Sequence, residues 1–290
     1  MLDQNEIYQQ VIFETLGPLA QLKSAVLIAA GNQNQGVRLE TSEGIFFLKV
    51  NIDHERNILA KEAEGLQMLR NSTFLKIPET FGYGRIEDFN YLLSEFISSS
   101  RQQLDYWEDL GLGLAHLHLT NSTTFGLDSD NYIASLHQKN YQYDNWSEFF
   151  IEQRLEPMVG KAYFDKLIPL DFLKKFQTIY SKLNSLFPKE KPALLHGDLW
   201  SGNVICDQNG KPCLIDPAIY FGHREMDLAF SKLFGGFDSR FYEAYESILP
   251  LEPDFESRIG LYNLYPLLVH LNLFGTAYLP GIEKIIKLFQ

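Results

Sequence analysis

The hydrophobic pattern of this chain changes near residue 98, and this change constrains the fold more than any other feature. Before that point, short β-prone runs are separated by glycines, as strands are by turns. The runs are Ala25–Ala30, Val37–Glu40, Ile45–Val50 and Tyr91–Phe96. An amphipathic helix is predicted among them, from about Asp53 to Leu69. After residue 100 apolar residues recur with the period of a helix.

The change of period predicts an α+β chain in two parts. Residues 1–97 are expected to form a small N-terminal antiparallel sheet with one helix, and residues 98–290 a larger, mainly helical part. A chain of 290 residues is long enough for two such parts, each with its own hydrophobic core.

The composition argues against several kinds of partner. The chain has 25 Lys and Arg against 37 Asp and Glu, a net charge of −12, which repels nucleic acid and anionic lipid. Its most apolar late segment, residues 259–275, is interrupted by polar residues and a proline, so no membrane span is predicted. The N-terminus lacks the pattern of a secretory signal. We expect a cytoplasmic protein that binds neither nucleic acid nor membranes, as a monomer or a weak homodimer.

A β-hairpin is predicted between residues 203 and 216. Asn209-Gly210 is the dipeptide best suited to a two-residue type I′ turn between the apolar pairs Val204-Ile205 and Leu214-Ile215. This turn would place Cys206 opposite Cys213. Facing thiols suggest a redox switch, but a reducing compartment and a wide, hydrogen-bonded pair favour inert, buried thiols.

Three polar residues around this hairpin indicate chemistry. Asp198 stands five residues before Asn203, within His196-Gly197-Asp198-Leu199-Trp200-Ser201-Gly202-Asn203, and Asp216 follows the hairpin. A phosphotransferase uses one Asp to accept the proton of the acceptor hydroxyl, and an Asn and a second Asp to hold Mg²⁺ on the phosphates of ATP. Singly, each residue is equally typical of a turn or a helix cap. Their joint spacing predicts a site for metal and phosphate.

A phosphate-binding cation is also expected. Lys49 lies at the end of an apolar strand, and Glu62 follows thirteen positions later on the predicted helix, as in the ion pair of protein-kinase-like folds. On these residues alone, an unrelated strand-end lysine is as good an interpretation. Glu64 is a rival partner, but it is about 200° further around the helix, so only one of the two can face the cleft.

Two further segments are candidates for nucleotide contacts. The polar loop Gly31–Gly36 takes the place of a phosphate-covering loop, with Gly31 and Asn32 as candidate contacts. It lacks the G-x-G-x-x-G spacing, so a simple polar turn is at least as good an interpretation. Glu95, Phe96 and Ile97 would form the hinge, where backbone groups meet adenine.

Several motifs together resemble the fructosamine-3-kinase (ketosamine-3-kinase) family, in the aminoglycoside-phosphotransferase branch of the protein-kinase-like superfamily. The resemblance covers most of the chain. The segments that carry it are Phe46-Phe47-Leu48-Lys49-Val50-Asn51, the segment from His196 to Asn203, Asp216-Pro217-Ala218 and Leu233-Phe234-Gly235-Gly236-Phe237. The Trp after His-Gly-Asp-Leu, the Asp-Pro-Ala and the Gly-Gly-Phe are more specific to this family than the wider His-Gly-Asp element.

The resemblance implies a bilobal protein-kinase-like fold, with a nucleotide-binding lobe (1–97) and a catalytic and substrate-binding lobe (98–290). It also implies ATP-dependent phosphorylation of the 3-hydroxyl of ketosamines such as fructosamine or ribulosamine. Glu62, rather than Glu64, matches the family's helix glutamate. Asp198 takes the position of the catalytic base, and Asn203 and Asp216 take the metal positions.

Further residues around the site are candidates for substrate contacts. Trp200 can stack on the face of a sugar, as aromatic side chains do, although filling the core is an alternative. The resemblance makes His270 a second candidate, although Leu273 stands where a second histidine is common in the family. His196 is expected to anchor the catalytic loop, Asp227 to hydrogen-bond its backbone, and Trp146 to be structural. Two alternatives stay open: a kinase of another hydroxylated amine, such as an aminoglycoside or choline, and a nucleotide-binding regulatory protein.

Overall fold

The computed structural model describes residues 3–30, 34–52 and 57–289. The helices are α1 (Gln4–Leu16), α2 (Ile58–Arg70), α3 (Tyr106–His118), α4 (Trp146–Phe149), α5 (Glu156–Phe164), α6 (Leu170–Leu186), α7 (Glu225–Leu233), α8 (Ser239–Ile248), α9 (Phe255–Phe274) and α10 (Leu279–Phe289). The strands are β1 (Leu22–Ala30), β2 (Gln35–Thr41), β3 (Gly44–Asn51), β4 (Thr80–Ile86), β5 (Phe89–Glu95), β6 (Asn131–Ile133), β7 (Leu136–Gln138), β8 (Ala193–Leu195), β9 (Val204–Cys206), β10 (Pro212–Leu214) and β11 (Tyr220–Gly222). A π-helical turn, Phe150–Leu155, joins α4 to α5.

The chain divides into two compact units. The first unit comprises residues 1–106 and 204–216, and the second comprises residues 107–203 and 217–290. The first unit is thus larger than the predicted lobe 1–97, because it takes in 98–106 and the hairpin strands β9 and β10. The functional division into a nucleotide-binding and a catalytic lobe stays a prediction.

The first unit is built on an antiparallel sheet with the strand order β1-β2-β3-β5-β4. The predicted strands correspond to β1, β2, β3 and β5. Strand β4 was not predicted, because its glycines are typical of turns and because it lies at the edge of the sheet, where most of its residues are exposed. Helix α2 begins at Ile58, and the predicted start at Asp53 lies outside the described residues.

Helix α1 was also not predicted. It begins with a capping box in which Asp3 and Glu6 each accept a hydrogen bond from the other's backbone amide. The buried face of α1, with Ile7, Val11 and Ile12, packs into the hydrophobic core of the sheet. The Asp-x-x-Glu spacing was the signal in the sequence for this helix start.

The hairpin of β9 and β10 forms, but the predicted register is wrong by one residue. Cys206 lies opposite Pro212, and Cys213 lies opposite Ile205. The Asp207 carboxylate accepts hydrogen bonds from the amides of Asn209 and Lys211, and Gly210 has a φ of 78°. The loop is therefore a three-residue turn with a left-handed glycine, not a two-residue turn.

A redox pair would require the two thiols to lie opposite each other, and in this register they do not. Cys213 is fully buried, and burial raises the pKa of its thiol to about 12. A thiol with so high a pKa is inert at neutral pH. The expectation of an inert, buried thiol is therefore confirmed for Cys213.

The second unit is mainly helical and packs around α9, most of whose residues are buried. The short strands β8 and β11 pair with each other, so that Leu195, just before His196, lies opposite Tyr220. This pairing sets the start of the predicted catalytic loop. In the described part of the chain, no helix combines the length and the hydrophobicity that a membrane span requires.

Candidate functional site

In the first unit, strand β3 carries Lys49 to two carboxylates. Lys49 Nζ lies 2.7 Å from Glu62 Oε1 on α2 and 2.7 Å from Asp216 Oδ1 after β10. The rival Glu64 is half-exposed and pairs with Lys61 instead. The structure therefore brings Lys49 together with Glu62 and with one of the two predicted metal ligands. We call these three residues the ion-pair cluster.

The charges of this cluster do not balance. Burial by itself lowers the pKa of Lys49, but the carboxylates of Asp216 and Glu62 outweigh it and raise that pKa above its ordinary value. Burial raises the pKa of Glu62, and the charge of Asp216 adds to this effect. One ammonium group thus serves two carboxylates, and the excess negative charge suits an added cation.

Asp216 has an unusual backbone conformation. Its φ of 54° lies in the left-handed region, which Asp tolerates better than most residues. Such conformations cost about 1–3 kcal/mol and are concentrated at functional sites. Its side chain is 47% exposed, whereas that of Lys49 is 10% exposed, so Asp216 is the member of the cluster open to a ligand.

A cavity of about 420 Å³ in the first unit is lined at one end by the ion-pair cluster. The predicted hinge residues Glu95, Phe96 and Ile97 line it as well. Most of the remaining wall is apolar: Ile28, Ala29, Phe47, Leu66, Pro78, Ile205 and Ile215. This mixture of an apolar wall and a few charged groups is typical of a small-molecule site. Gly31 and Asn32 lie outside the described residues.

Ser94 is a lining residue that the sequence reasoning missed. It pairs with Phe47 across β5 and β3, so both side chains lie on the cavity face of the sheet. Ser94 is 4% exposed, so its small polar side chain lies in the wall of the cavity and away from bulk solvent. Its position two residues before Phe96 in the predicted strand Tyr91–Phe96 was the available signal, because alternate side chains of a strand share a face.

In the second unit, Asn203 holds Asp198. Asn203 Nδ2 donates to the backbone oxygen and to Oδ2 of Asp198, at 2.8 Å each. The amide therefore orients the half-buried carboxylate and uses its own N–H groups to do so. Asn203 Oδ1 is left as an acceptor, which is the atom that a metal ion requires.

Asp227 holds the backbone of the same loop. Its carboxylate accepts hydrogen bonds from the amides of His196, at 2.7 Å, and Gly197, at 2.9 Å, and it is 1% exposed. This confirms the expected contact of Asp227 with the loop backbone. His118 Nε2 also lies 3.2 Å from Asp227, and His118 Nδ1 lies 2.8 Å from the Tyr245 hydroxyl. The sequence carried no signal for this pair.

His196 and Trp146 were expected to be structural, and both roles are confirmed. His196 is fully buried; its Nδ1 accepts from the Asp198 amide, and its backbone oxygen accepts from Ala218. Trp146 is buried and stacks on Phe150 and His223, at 5.2 Å between ring centroids in each pair. Neither ring is placed to meet a ligand.

The two candidate substrate residues are linked through a third ring. The Phe234 ring centroid lies 6.0 Å from that of Trp200 and 4.8 Å from that of His270. The structure thus brings Trp200 and His270 into one row of aromatic side chains. Phe234 stands in the family-like Gly-Gly-Phe segment, but its role was not predicted.

The predicted metal ligands, Asn203 and Asp216, are two oxygen donors. No group of three or more His, Cys, Asp or Glu side chains within residues 3–30, 34–52 and 57–289 is arranged to hold a metal ion. Asn203 and Asp216 offer one amide oxygen and one carboxylate. Mg²⁺ commonly takes only one or two protein ligands and completes its shell with phosphates and water. The chemistry of each residue therefore fits a single protein ligand to Mg²⁺ on a nucleotide, and neither residue belongs to an all-protein metal site in the described part of the chain.

Comparison with known proteins decides the family. Residues 4–289 match the family model described as "Fructosamine kinase". The chain belongs to the fructosamine kinase family. It is 38% identical to a "Probable ketoamine kinase" of Enterococcus faecium over 264 residues, 90% of this chain and 94% of that one. It is 34% identical to the chloroplastic protein-ribulosamine 3-kinase of Arabidopsis thaliana over 280 residues, 94% of this chain and 84% of that one.

Solved structures agree with this assignment. The structure is similar to that of a "putative fructosamine-3-kinase" of Thermobifida fusca. The TM-score is 0.88 and the sequence identity 30%, over 98% of each chain. An aminoglycoside phosphotransferase, at 17% identity, has the same fold, with a TM-score of 0.62 over 96% of this chain and 98% of that one. The predicted α+β, protein-kinase-like fold and the ATP-dependent phosphotransferase class are therefore confirmed.

Proposed function

We propose that this chain uses ATP and Mg²⁺ to phosphorylate the 3-hydroxyl of a ketosamine, such as a fructosamine or a ribulosamine. The observation that carries the proposal is the Asp198 carboxylate, held by Asn203 on a loop whose backbone is anchored by buried Asp227. Relatives named as a ketoamine kinase and a protein-ribulosamine 3-kinase support the choice of acceptor.

The proposed mechanism gives each residue a separate task. Lys49, held by Glu62, neutralises the phosphates of ATP, and Asn203 and Asp216 would each offer an oxygen ligand to Mg²⁺. Bound Mg²⁺ supplies charge that stabilises the transferring phosphoryl group. Asp198 orients the acceptor hydroxyl and takes its proton. Little covalent chemistry is required of the protein, so that positioning and charge provide most of the rate.

The nucleotide proposal rests on the cavity of the first unit. Its apolar wall suits a purine base, and Glu95, Phe96 and Ile97 provide backbone groups beside that wall. The ion-pair cluster provides the cation for the phosphates. The other candidate phosphate contacts, Gly31 and Asn32, remain predictions from the sequence.

The proposed setting of the enzyme follows from composition. With a net charge of −12, the chain attracts an amine-bearing cation and repels nucleic acid and anionic membranes. We propose a cytoplasmic enzyme that is a monomer or a weak homodimer. Light scattering after size-exclusion chromatography tests the second point: a mass near 33.4 kDa at low concentration is expected, and a stable larger assembly would contradict it.

The test of the function is Mg²⁺-dependent ADP release with a panel of acceptors, with ³¹P NMR to locate the new phosphate. Fructosyl-lysine and ribulosyl-lysine are compared with an aminoglycoside and choline. Release is expected with the ketoamines, with phosphate on the 3-hydroxyl, and it is expected to vanish in Asp198→Ala. Asp171→Ala, whose side chain is 84% exposed on α6, is the matched control.

The other outcomes separate the alternatives. ADP release with choline or the aminoglycoside alone would replace the ketosamine with another hydroxylated amine. ATP binding without transfer to any acceptor would favour a nucleotide-binding regulatory protein. Transfer to a ketoamine hydroxyl other than the third would keep the substrate class but correct the position.

A further inference from the structure

Five partly exposed rings of the second unit form one group, which we call the aromatic cluster: Trp200, Phe234, His270, Phe274 and Tyr278. His270 lies at its centre, with ring centroids 4.8 Å from Phe234, 5.0 Å from Tyr278 and 5.5 Å from Phe274. Phe234 is 36% exposed and Phe274 is 59% exposed. By contrast, Phe149 and Phe150 of the core are fully buried.

The cluster lies close to Asp198. Trp200 is two residues after Asp198, so the two Cα atoms are at most about 7 Å apart. Trp200 joins the cluster through Phe234. Exposed rings gathered at such a place are typical of a binding surface, since a solvated apolar patch contributes nothing to stability.

The orientation of His270 adds a polar atom to this surface. His270 Nδ1 lies 2.8 Å from the backbone oxygen of Pro266. A carbonyl oxygen can only accept, so Nδ1 carries the proton and donates it. Burial lowers the pKa of His270, against the effect of the Pro266 hydrogen bond, and this favours the neutral ring. Nε2 is then a bare acceptor without a partner among the described residues.

The cluster therefore offers aromatic faces and one acceptor, and its own members carry no positive charge. A ring face attracts a cation within about 6 Å of its centroid, by about 0.5–2 kcal/mol. An N–H group on that cation can also donate to the bare nitrogen of His270. A neutral sugar ring would gain from the apolar faces but not from the charge.

We propose that the aromatic cluster binds the protonated amine of the ketosamine, with Phe234 and Tyr278 contributing ring faces and His270 Nε2 accepting an N–H. The inference rests on the proposed function, and it names the part of the substrate that this surface recognises. The substrate class is accordingly a ketose carried on a basic secondary amine. A ketose joined through a neutral atom is expected to be a poor substrate.

The test compares two probes that differ only in charge. One is fructosyl-lysine with its α-amine blocked, and the other is the same molecule with an ether oxygen in place of the linking nitrogen. The wild-type enzyme is expected to show a KM about tenfold higher for the ether, the loss that a partly desolvated cation–π contact predicts. Where turnover of the ether is slow, its inhibition constant against the amine replaces the KM.

Phe234→Leu tests the surface, because it keeps an apolar side chain but removes the ring. It is expected to raise the KM for the amine probe about fivefold to tenfold, to leave the value for the ether unchanged, and to change kcat little. His270→Leu is expected to act in the same direction. Phe164→Leu, 84% exposed on α5, is the matched control and is expected to change neither probe. Thermal unfolding shows that each variant is folded.

Each possible result decides the proposal. Equal wild-type KM values for amine and ether, or equal effects of Phe234→Leu on both probes, would overturn the amine site while leaving the proposed function intact. Turnover of neither probe by the wild-type enzyme, with ATP still bound, would overturn both the function and the inference that rests on it.

Discussion

In the first unit, Lys49, Glu62 and Asp216 hold one another through charged side chains, whereas in the second unit Asp198 is held largely through the backbone of its loop. The ion-pair cluster contains one ammonium and two carboxylates and lines a cavity. In the loop of Asp198, the neutral backbone amides of His196 and Gly197 donate hydrogen bonds to the buried carboxylate of Asp227. Ion pairs can exchange partners when a ligand enters, but a network of backbone hydrogen bonds keeps one geometry.

This difference implies that changes in the two regions alter different measurements. A change in the ion-pair cluster alters the affinity for nucleotide, because a phosphate or a metal ion competes for the same charges. A change in the loop alters kcat, because it displaces the proposed base. The following predictions test this separation, beginning with the largest expected effect.

Gly197→Ala is expected to reduce turnover more than a thousandfold and to destabilise the protein. Gly197 has a φ of 81°, and a Cβ there would clash with the backbone oxygen of Ala218, so the loop must move. Gly235→Ala is the matched control, with a φ of 101° but no atom within 4 Å of the added Cβ. It is expected to cost only about 1–2 kcal/mol of backbone strain.

Steady-state kinetics and thermal unfolding of the two variants check this prediction. Similar losses in both would mean that backbone strain alone is responsible. Normal turnover in Gly197→Ala would show that the loop is not held as the structure indicates.

Asp227→Asn is expected to lower kcat about a hundredfold and to leave the dissociation constant of ATP within a factor of three. One carboxylate oxygen becomes an NH₂ group that faces backbone donors, which costs about 2–4 kcal/mol at a buried position. Asp171→Asn, on an exposed side chain, serves as the control. A variant that lost ATP affinity while keeping kcat would break the comparison between the two units.

Glu62→Gln is expected to raise the KM for ATP about tenfold, which corresponds to about 1.4 kcal/mol, because Lys49 loses one of its two carboxylate partners. Glu64→Gln is the natural control, since Glu64 pairs with Lys61 and is half-exposed. Initial rates over a range of ATP concentrations give both values. If Glu64→Gln had the larger effect, the choice of Glu62 would be wrong.

The last prediction concerns acid stability in the second unit and involves no change in activity. Burial, followed by the charges of Arg224 and Arg258, lowers the pKa of His223 to about 3. Below about pH 6.5 the unfolded chain takes up a proton at this residue that the folded chain does not, so the unfolding free energy falls by about 1.4 kcal/mol per pH unit down to pH 3.

His223→Phe removes this proton uptake, so the acid slope of its unfolding free energy is expected to be shallower by about that amount. Denaturant unfolding between pH 7 and pH 4 measures the slope. The exposed His137 provides the control variant His137→Phe, which is expected to keep the wild-type slope. An unchanged slope in His223→Phe would show that another group controls acid unfolding.

The parts of the fold that could be predicted are those with a local pattern. Strands β2, β3 and β5 are short, β-prone, mostly buried runs, and α2 has an apolar face, so these local patterns identified them. Strand β4 is an exposed edge interrupted by two glycines, which are typical of turns. The hairpin register was wrong because the Asp207 side chain stabilises a longer turn, and backbone turn preferences do not include that contact.

The candidate site also has residues that could be predicted from the sequence and residues that could not. Asp198, Asn203 and Asp216 stand close together in sequence, so that spacing and resemblance together identified them. The contact of His118 with Asp227 joins residues 109 positions apart, and its contact with Tyr245 spans 127. Only the folded chain brings such residues together. Ser94 and Phe234 are small or ordinary side chains, and their surroundings rather than their chemistry make them part of a site.

The most direct test of the central claim measures the same two quantities in Asp198→Ala and Asp216→Ala. Calorimetry with a non-hydrolysable ATP analogue and Mg²⁺ gives the nucleotide affinity, and ADP release with fructosyl-lysine gives turnover. Asp198→Ala is predicted to lose turnover and keep its affinity within about threefold, and Asp216→Ala to lose more than tenfold in metal-dependent affinity. Near-normal turnover in Asp198→Ala, or full Mg²⁺-dependent affinity in Asp216→Ala, would contradict the account.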